Sequence, residues 1–331
     1  MKKNAGYALS LAALAGSVLL FQNMMSIEAS TTPPNILFIL LDDAGQGDWT
    51  NEALMPHVNE LRQQSTLFPY FYVTSMCTPT RMSFLSGRYP VDYSIFWVCG
   101  SNAIYGIPNS DDTIPQSLAR RGYTTATLGK WHSGQSIAST ANLPSVFQEY
   151  GIENKFQYYV QGPGVVQGGY FSPVMLENGV EIKATDGSNP YQGKHLEDVT
   201  SDLTKDYILG LSRAATKKPF YIQYWLNAPH GPHEPALRMI TDLAFKSQYQ
   251  KCVLGPVASA DRTECANWRK QNKRKLYELL LAQADQDIAK ILDLFKTEDP
   301  YLKNTVIFIT SDNGGTQDWE PMGTWTILDA I

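Results

Sequence analysis

The chain has 331 residues, 43% of them hydrophobic, enough to bury the core of one large domain or two smaller ones. Its 27 basic and 32 acidic residues give a formal net charge of −5, which excludes a broadly basic nucleic-acid surface and confines any anion binding to a local pocket. The four cysteines, at positions 77, 99, 252 and 265, form no Cys-x-x-Cys pair, so zinc-ribbon spacing is excluded as well.

Lys2 and Lys3 precede an apolar run from Ala8 to Phe21, and small residues follow at Ala29 and Ser30. This is the pattern of a secretory signal peptide, too short to span a bilayer. The expectation is export to the periplasm or beyond, with residues 1–30 removed, 31–331 forming the folded domain, and no stable membrane insertion. A retained anchor is the alternative.

Asn35 to Leu41 is a near-continuous apolar run that stops at Asp42 and Asp43, as a buried parallel strand would. Helical periodicity follows from Met55 to Gln64 and from Ile114 to Arg121. A second strand, Thr124 to Leu128, leads into Gly129-Lys130-Trp131-His132, and residues 161–195, rich in Gly, Pro and Asn, read as an irregular excursion over the site. A helix from Leu203 to Arg213 precedes a third strand, Phe220 to Leu226, which runs into Asn227-Ala228-Pro229-His230. A long amphipathic helix from Lys275 to Phe295 then leads to the fourth strand, Thr305 to Thr310, and to Ser311-Asp312-Asn313-Gly314-Gly315. Four apolar strands each deliver polar residues at the same end. The expected fold is therefore α/β, a largely parallel central sheet flanked by helices, with ligand groups beyond the carboxyl ends of the strands.

The chemistry concentrates at those ends. Asp42, Asp43, Asp312 and Asn313 offer only hard oxygen ligands, which favours calcium or magnesium over zinc. A helix cap at Asp43 and a turn at Asp312-Asn313-Gly314 are the plainer alternatives. The segment Cys77-Thr78-Pro79-Thr80-Arg81, followed by Leu85-Ser86-Gly87-Arg88, reads as a helix entrance, since Pro79 presets the helical dihedral and leaves residue 77 at the positive end. Backbone N–H groups there, with the planar fork of Arg81, suit sulfate or phosphate oxygens. A simply buried cysteine is the competing reading.

The Cys77-to-Arg81 segment with its downstream Ser-Gly-Arg resembles the signature of type I sulfatases, the formylglycine-dependent family. Asn35-Ile36-Leu37, Pro56-His57-Val58, Tyr123 to His132, and Pro229-His230-Gly231-Pro232 extend the likeness over roughly residues 34–315. The resemblance implies the alkaline phosphatase-like fold and conversion of Cys77 to formylglycine by a formylglycine-generating enzyme. It also implies a calcium ion held by Asp42, Asp43, Asp312 and Asn313, with the hydrated residue 77 completing the shell. Arg81, Lys130 and His132 then stabilise the sulfate and the formylglycine, and His230 stands at the leaving-group oxygen, with His233 as a rival or substrate contact. An imidazole can carry a proton at physiological pH, which suits that task. The implied substrate is a sulfated small molecule or glycan, with Tyr170 and Phe171 as rim candidates.

In the family the chain continues past Ser-Asp-Asn-Gly-Gly to a substrate-binding lysine and a smaller C-terminal subdomain. The sequence here stops at Ile331 and no lysine follows Lys303, so the resemblance leads to the expectation that the subdomain is missing and that, without the lysine, activity suffers. If Cys77 is converted, Cys252 and Cys265 are the expected disulfide, since they close a short loop in a polar segment and export permits a bridge. Two other readings compete: a phosphate ester or diester hydrolase of the same superfamily, and a sulfate-ester binder without turnover. The first would generally show more histidine ligands for zinc than the five histidines here provide.

Overall fold

The computed structural model describes residues 32–98, 106–133, 152, 155–161, 169–297 and 299–315. The chain divides into Met1–Pro33 and Pro34–Ile331, and the architecture below belongs to the second unit. Residues 1–30, expected to be a signal peptide, and Cys99 lie outside the described residues.

Among the described residues, seven strands form one sheet. β1 (Asn35–Leu41), β2 (Thr124–Gly129), β3 (Tyr158–Gln161), β6 (Phe220–Trp225) and β7 (Thr305–Ser311) run parallel, while β4 (Leu176–Glu177) and β5 (Val180–Glu181) add an antiparallel margin. The order is β5-β4-β3-β2-β6-β1-β7. All six residues of β6 are buried, as a central strand covered on both faces requires. Ile222 and Tyr224 face one cluster with Leu37, Ile39 and Leu41, closed by α1 (Pro56–Gln63), α4 (Leu196–Arg213) and α6 (Arg262–Leu292). Tyr221 and Trp225 face the other with Leu40, Met82 and Leu85, closed by α2 (Cys77–Ser86) and α3 (Ile114–Arg120). The result is a three-layer α/β fold with α5 (Leu243–Tyr249) beside α6.

The four expected strands form within a residue or so of their expected limits. The excursion between 161 and 195 differs, because its described part contains the β4–β5 hairpin that extends the sheet beyond β3. Two helices begin earlier than their periodicity suggested. The side chain of His195 accepts the N–H of Glu197 and caps α4, a role usually signalled by Ser, Thr, Asp or Asn. The first turns of α6 are polar and largely exposed, so they carry little amphipathic pattern; there Cys265 is bonded to Cys252, the expected bridge. At the start of α1, buried Asp285 of α6 accepts the N–H groups of His57 and Val58 at 3.2 and 2.9 Å. No helix among the described residues is long and apolar enough to cross a membrane.

Candidate functional site

The parallel register assembles the site. Leu40 pairs with Trp225 and Leu41 with Ser311, so the ends of β1, β6 and β7 are level; Gly129 pairs with Trp225 and brings β2 level too. Backbone bonds continue past the strands: Asp42 N–H donates to Ala228 O at 3.1 Å and Asp312 N–H to Leu41 O at 3.0 Å. Gly129 is obligatory, because its φ is 109° and a Cβ there would sit 1.9 Å from the Trp225 carbonyl oxygen. That close approach lets Lys130 N–H donate to the same oxygen at 2.8 Å and turns the lysine toward β1.

Three buried carboxylates meet there. Asp43 N–H donates to Asp312 Oδ1 at 3.2 Å, and Asn313 Nδ2 donates to Asp43 Oδ1 at 2.6 Å. Arg81, fully buried, donates through Nε to Asp312 Oδ2 at 2.9 Å; its Nη2 stands 2.8 Å from the same oxygen and 3.5 Å from Asp42 Oδ1. Its Nη1 donates to the Lys130 carbonyl at 3.2 Å, and its plane lies over the Trp225 ring at 5.1 Å. Lys130 Nζ pairs with Asp42 Oδ2. Cys77, the first residue of α2, places Sγ 3.5 Å from Asp42 Oδ1 and 4.0 Å from Asp43 Oδ1. His230 Nε2 lies 3.6 Å from Asp43 Oδ2.

The electrostatics follow from crowding. Burial opposes ionisation of Asp42, but Lys130, His230 and Arg81 together hold its carboxyl well below the usual range. Asp312 goes the other way, pushed up to about 8 by burial and then by the Asp42 charge, against Arg81 and Lys130. Asp43 is raised by burial and by Asp42. Burial also drives the Cys77 thiol well up; Lys130 resists and the three acids reinforce it. Fully ionised, the three acids would exceed the two permanent cations, Arg81 and Lys130, by one charge, and burial with the Asp42 charge makes Asp43 and Asp312 hold their protons to higher pH.

A divalent cation fits this donor set. Asn313 Oδ1 is buried with no hydrogen-bond partner, while Nδ2 of the same side chain donates to Asp43 Oδ1, so an unsatisfied oxygen stands beside the acid cluster. Ligand atoms of Asp42, Asp43, Cys77 and His230 all fall within 4.8 Å of one another. The expected set had Asp312 and Asn313 rather than His230; Asp312 is engaged by Arg81, while Asp43 ties it to the cluster.

The structure thus brings together Asp42, Asp43, Cys77, Arg81, Lys130, His230, Asp312 and Asn313. His132, partly buried, follows two residues after Lys130 in a left-handed conformation with φ 48°. Arg81, expected to meet an oxyanion, is paired with the carboxylates of Asp312 and Asp42. His233 is buried edge-on against Tyr277 at 5.5 Å. Tyr170, expected on the rim, is fully buried, since the loop carrying it packs under the 227–230 turn. Sequence reasoning passed over Glu197, Ser311 and Tyr277, which hold the surrounding backbone: Glu197 Oε1 accepts from Asn227 and Ala228, Ser311 Oγ accepts from Ala44, and Tyr277 OH accepts from Gly45. Only their placement after the fold forms marks them.

Residues 34–318 match the family model described as Sulfatase, and the chain belongs to that family, in line with its Cys77 signature. Human N-acetylgalactosamine-6-sulfatase is 25% identical over 321 residues, covering 88% of this chain and 52% of the relative. The chain thus spans about half the length of the curated relatives it matches. Among solved structures, Ps i-CgsB in complex with k-i-k-neocarrahexaose aligns with a TM-score of 0.63 at 23% identity, over 86% of this chain and 59% of the other. A protein solved in complex with its substrate, D-glucosamine-2-N,6-O-disulfate, aligns at 0.58 and 18% identity, over 86% and 66%. These likenesses support the alkaline phosphatase-like fold.

Proposed function

We propose that the chain hydrolyses sulfate esters of sugars or aryl alcohols after Cys77 has been converted to formylglycine, with calcium held by Asp42, Asp43, Asp312 and Asn313. One observation carries the reading: four strand ends and the first turn of α2 bring Cys77, three acids, Arg81, Lys130 and His230 into one contact network. Family membership and the names of the relatives support the sulfate ester over other anions. Maturation needs a formylglycine-generating enzyme as partner, and export follows from the N-terminal pattern.

The raised thiol pKa means that an unmodified Cys77 is a poor nucleophile at neutral pH. Conversion and hydration supply two geminal hydroxyls at this position, one to attack sulfur and one to expel sulfate afterwards. The cation supplies positive charge for the hydroxyl and for sulfate oxygens. Arg81 offsets Asp312 and Asp42 and keeps them ordered as ligands. Lys130, held on Asp42, favours an anionic oxygen at position 77 and, with His132, neutralises sulfate charge. His230, beside Asp43, donates the proton that the departing alcohol needs.

The test is protein co-produced with a formylglycine-generating enzyme and loaded with calcium, its residue 77 read by peptide mass spectrometry. Nitrophenyl sulfate and a glucosamine sulfate should be cleaved, and Cys77→Ala should cleave neither while keeping its thermal melt. Preference for a phosphate diester would replace the reading with the phosphate-hydrolase alternative. Binding without turnover would replace it with the non-catalytic one.

A further inference from the structure

The turn that carries His230 is held from two sides by residues outside the family motifs. It is closed by His230 N–H donating to Asn227 O at 2.9 Å. On one side Glu197, at the start of α4, accepts the N–H groups of Asn227 and Ala228 through a single oxygen, at 2.9 and 3.2 Å. On the other, the hydroxyl of Tyr170 reaches the carbonyl oxygens of Asn227 at 2.9 Å and His230 at 2.8 Å. A phenol has one hydrogen, so Tyr170 is a shared donor to the first and last residues of the turn.

Tyr170 is itself fixed. Its ring is fully buried and lies nearly parallel to that of His195, with centroids 5.1 Å apart and planes at 13°. His195 is locked as a neutral imidazole: Nδ1 faces the donors Glu197 N and Gln283 Nε2 at 3.2 and 2.9 Å, so Nε2–H donates to Glu234 O at 2.8 Å. The side chain of Glu234 in turn accepts the N–H of Tyr170 at 3.3 Å. The loop at 170, the cap of α4 and the 227–235 segment form one closed hydrogen-bonded unit, whose site-facing member is His230.

We propose that Tyr170 is a positioning residue for His230: its hydroxyl fixes the 227–230 turn so that the imidazole meets the leaving-group oxygen. This rests on the reading in which His230 protonates the departing alcohol. Without the hydroxyl the turn keeps its Glu197 anchor but loses the one that reaches the His230 carbonyl. Proton delivery then suffers most where the alcohol is a poor leaving group, and least where a nitrophenolate can depart unprotonated.

The experiment measures kcat and KM for a series of aryl sulfates of increasing leaving-group pKa. It compares the unaltered chain, His230→Ala and Tyr170→Phe at equal formylglycine content and saturating calcium. His230→Ala should steepen the dependence of kcat on leaving-group pKa. Tyr170→Phe should steepen it in the same sense, with about tenfold loss on the poorest leaving group, under about twofold on nitrophenyl sulfate, and unchanged KM. Replacing Tyr170 by para-aminophenylalanine, which restores a donor, should return the original slope. A uniform loss across the series, or an original slope in Tyr170→Phe beside a steepened one in His230→Ala, overturns the positioning role while the acid assignment stands. No steepening in His230→Ala, or no turnover by the unaltered chain, overturns the functional reading and this inference with it. Should Tyr170→Phe fail to fold, the para-aminophenylalanine variant decides alone, since a steepened slope with the donor present overturns the proposal.

Discussion

Asp312 is the residue on which the site balances. It accepts Arg81 on one oxygen and the Asp43 amide on the other, and burial with the Asp42 charge pushes its carboxyl up to about 8. Removing it outright would leave a fully buried guanidinium short of a partner, a change that costs about 3–5 kcal/mol in comparable buried pairs. Asp312→Asn is the cleaner probe, because an amide oxygen still accepts from Arg81 while the charge is gone. Calorimetry should show calcium affinity falling by at least about tenfold in that variant, since hard-cation affinity tracks the count of charged oxygens. Unchanged affinity would remove Asp312 from the proposed ligand set. The residue types here were legible before the fold: acids after apolar strands, and a cysteine followed by Pro79 and Arg81. The pairing of Arg81 with Asp312 was not, because they are 231 positions apart in sequence and meet only once α2 packs on the sheet whose β7 end carries Asp312.

At the scale of elements, the start of α4 couples stability to pH. Glu197 is fully buried at its first turn, and its carboxyl is pushed up to about 8 from an ordinary 4.5 by burial and by Asp287 of α6. The Asn227 and Ala228 amides oppose that rise and Asp42 at the end of β1 adds to it, while the Tyr224 phenol of β6 feels the same charge. Between about 4.5 and 8 the folded chain retains a proton that the unfolded chain releases. Stability therefore falls as pH rises through that window, and the loss is complete above it. Glu197→Gln keeps an oxygen for both amides and cannot ionise. Thermal melts taken across the window should show a flatter pH dependence in the variant, and an unchanged slope would mean that Glu197 is not the source. Sequence pattern missed this helix start because the cap is His195, whose fit depends on Gln283 and Glu234 arriving from elsewhere.

For the whole molecule, the exposed margin of the sheet is the liability. β7 is last in the order, carries no charge and no proline along its seven residues, and leaves Val306 and Phe308 42% and 51% exposed. They border a cavity of about 660 Å³ lined also by Phe68, Phe71 and Tyr72. Edge strands of soluble proteins are commonly blunted by charge or proline, and apolar patches of this kind bind hydrophobic probes. The chain should therefore enhance the fluorescence of a hydrophobic dye, and Phe308→Lys should lower that signal by about half or more with little change in melting, because Phe308 has little burial to lose. An undiminished signal would locate the dye elsewhere.

Apolar runs of period too short for helices, each ended by polar residues, determined that this chain would build a parallel sheet with its chemistry at one edge. That much is local, since a strand buried on both faces must be apolar throughout and its charges can begin only where it ends. Asp42, Asp43, Lys130, His230, Asp312 and Asn313 could be placed for the same reason, and Cys77 by the helix entrance that Pro79 marks. Tertiary structure alone decided that Arg81 is paired with Asp312, that Tyr170 lies beneath His230 instead of on the rim, and that Glu197 is buried under the 227–228 amides, where burial raises its pKa. Each of those outcomes depends on which distant groups are excluded from water together, and burial of that kind leaves no periodicity in the sequence to read.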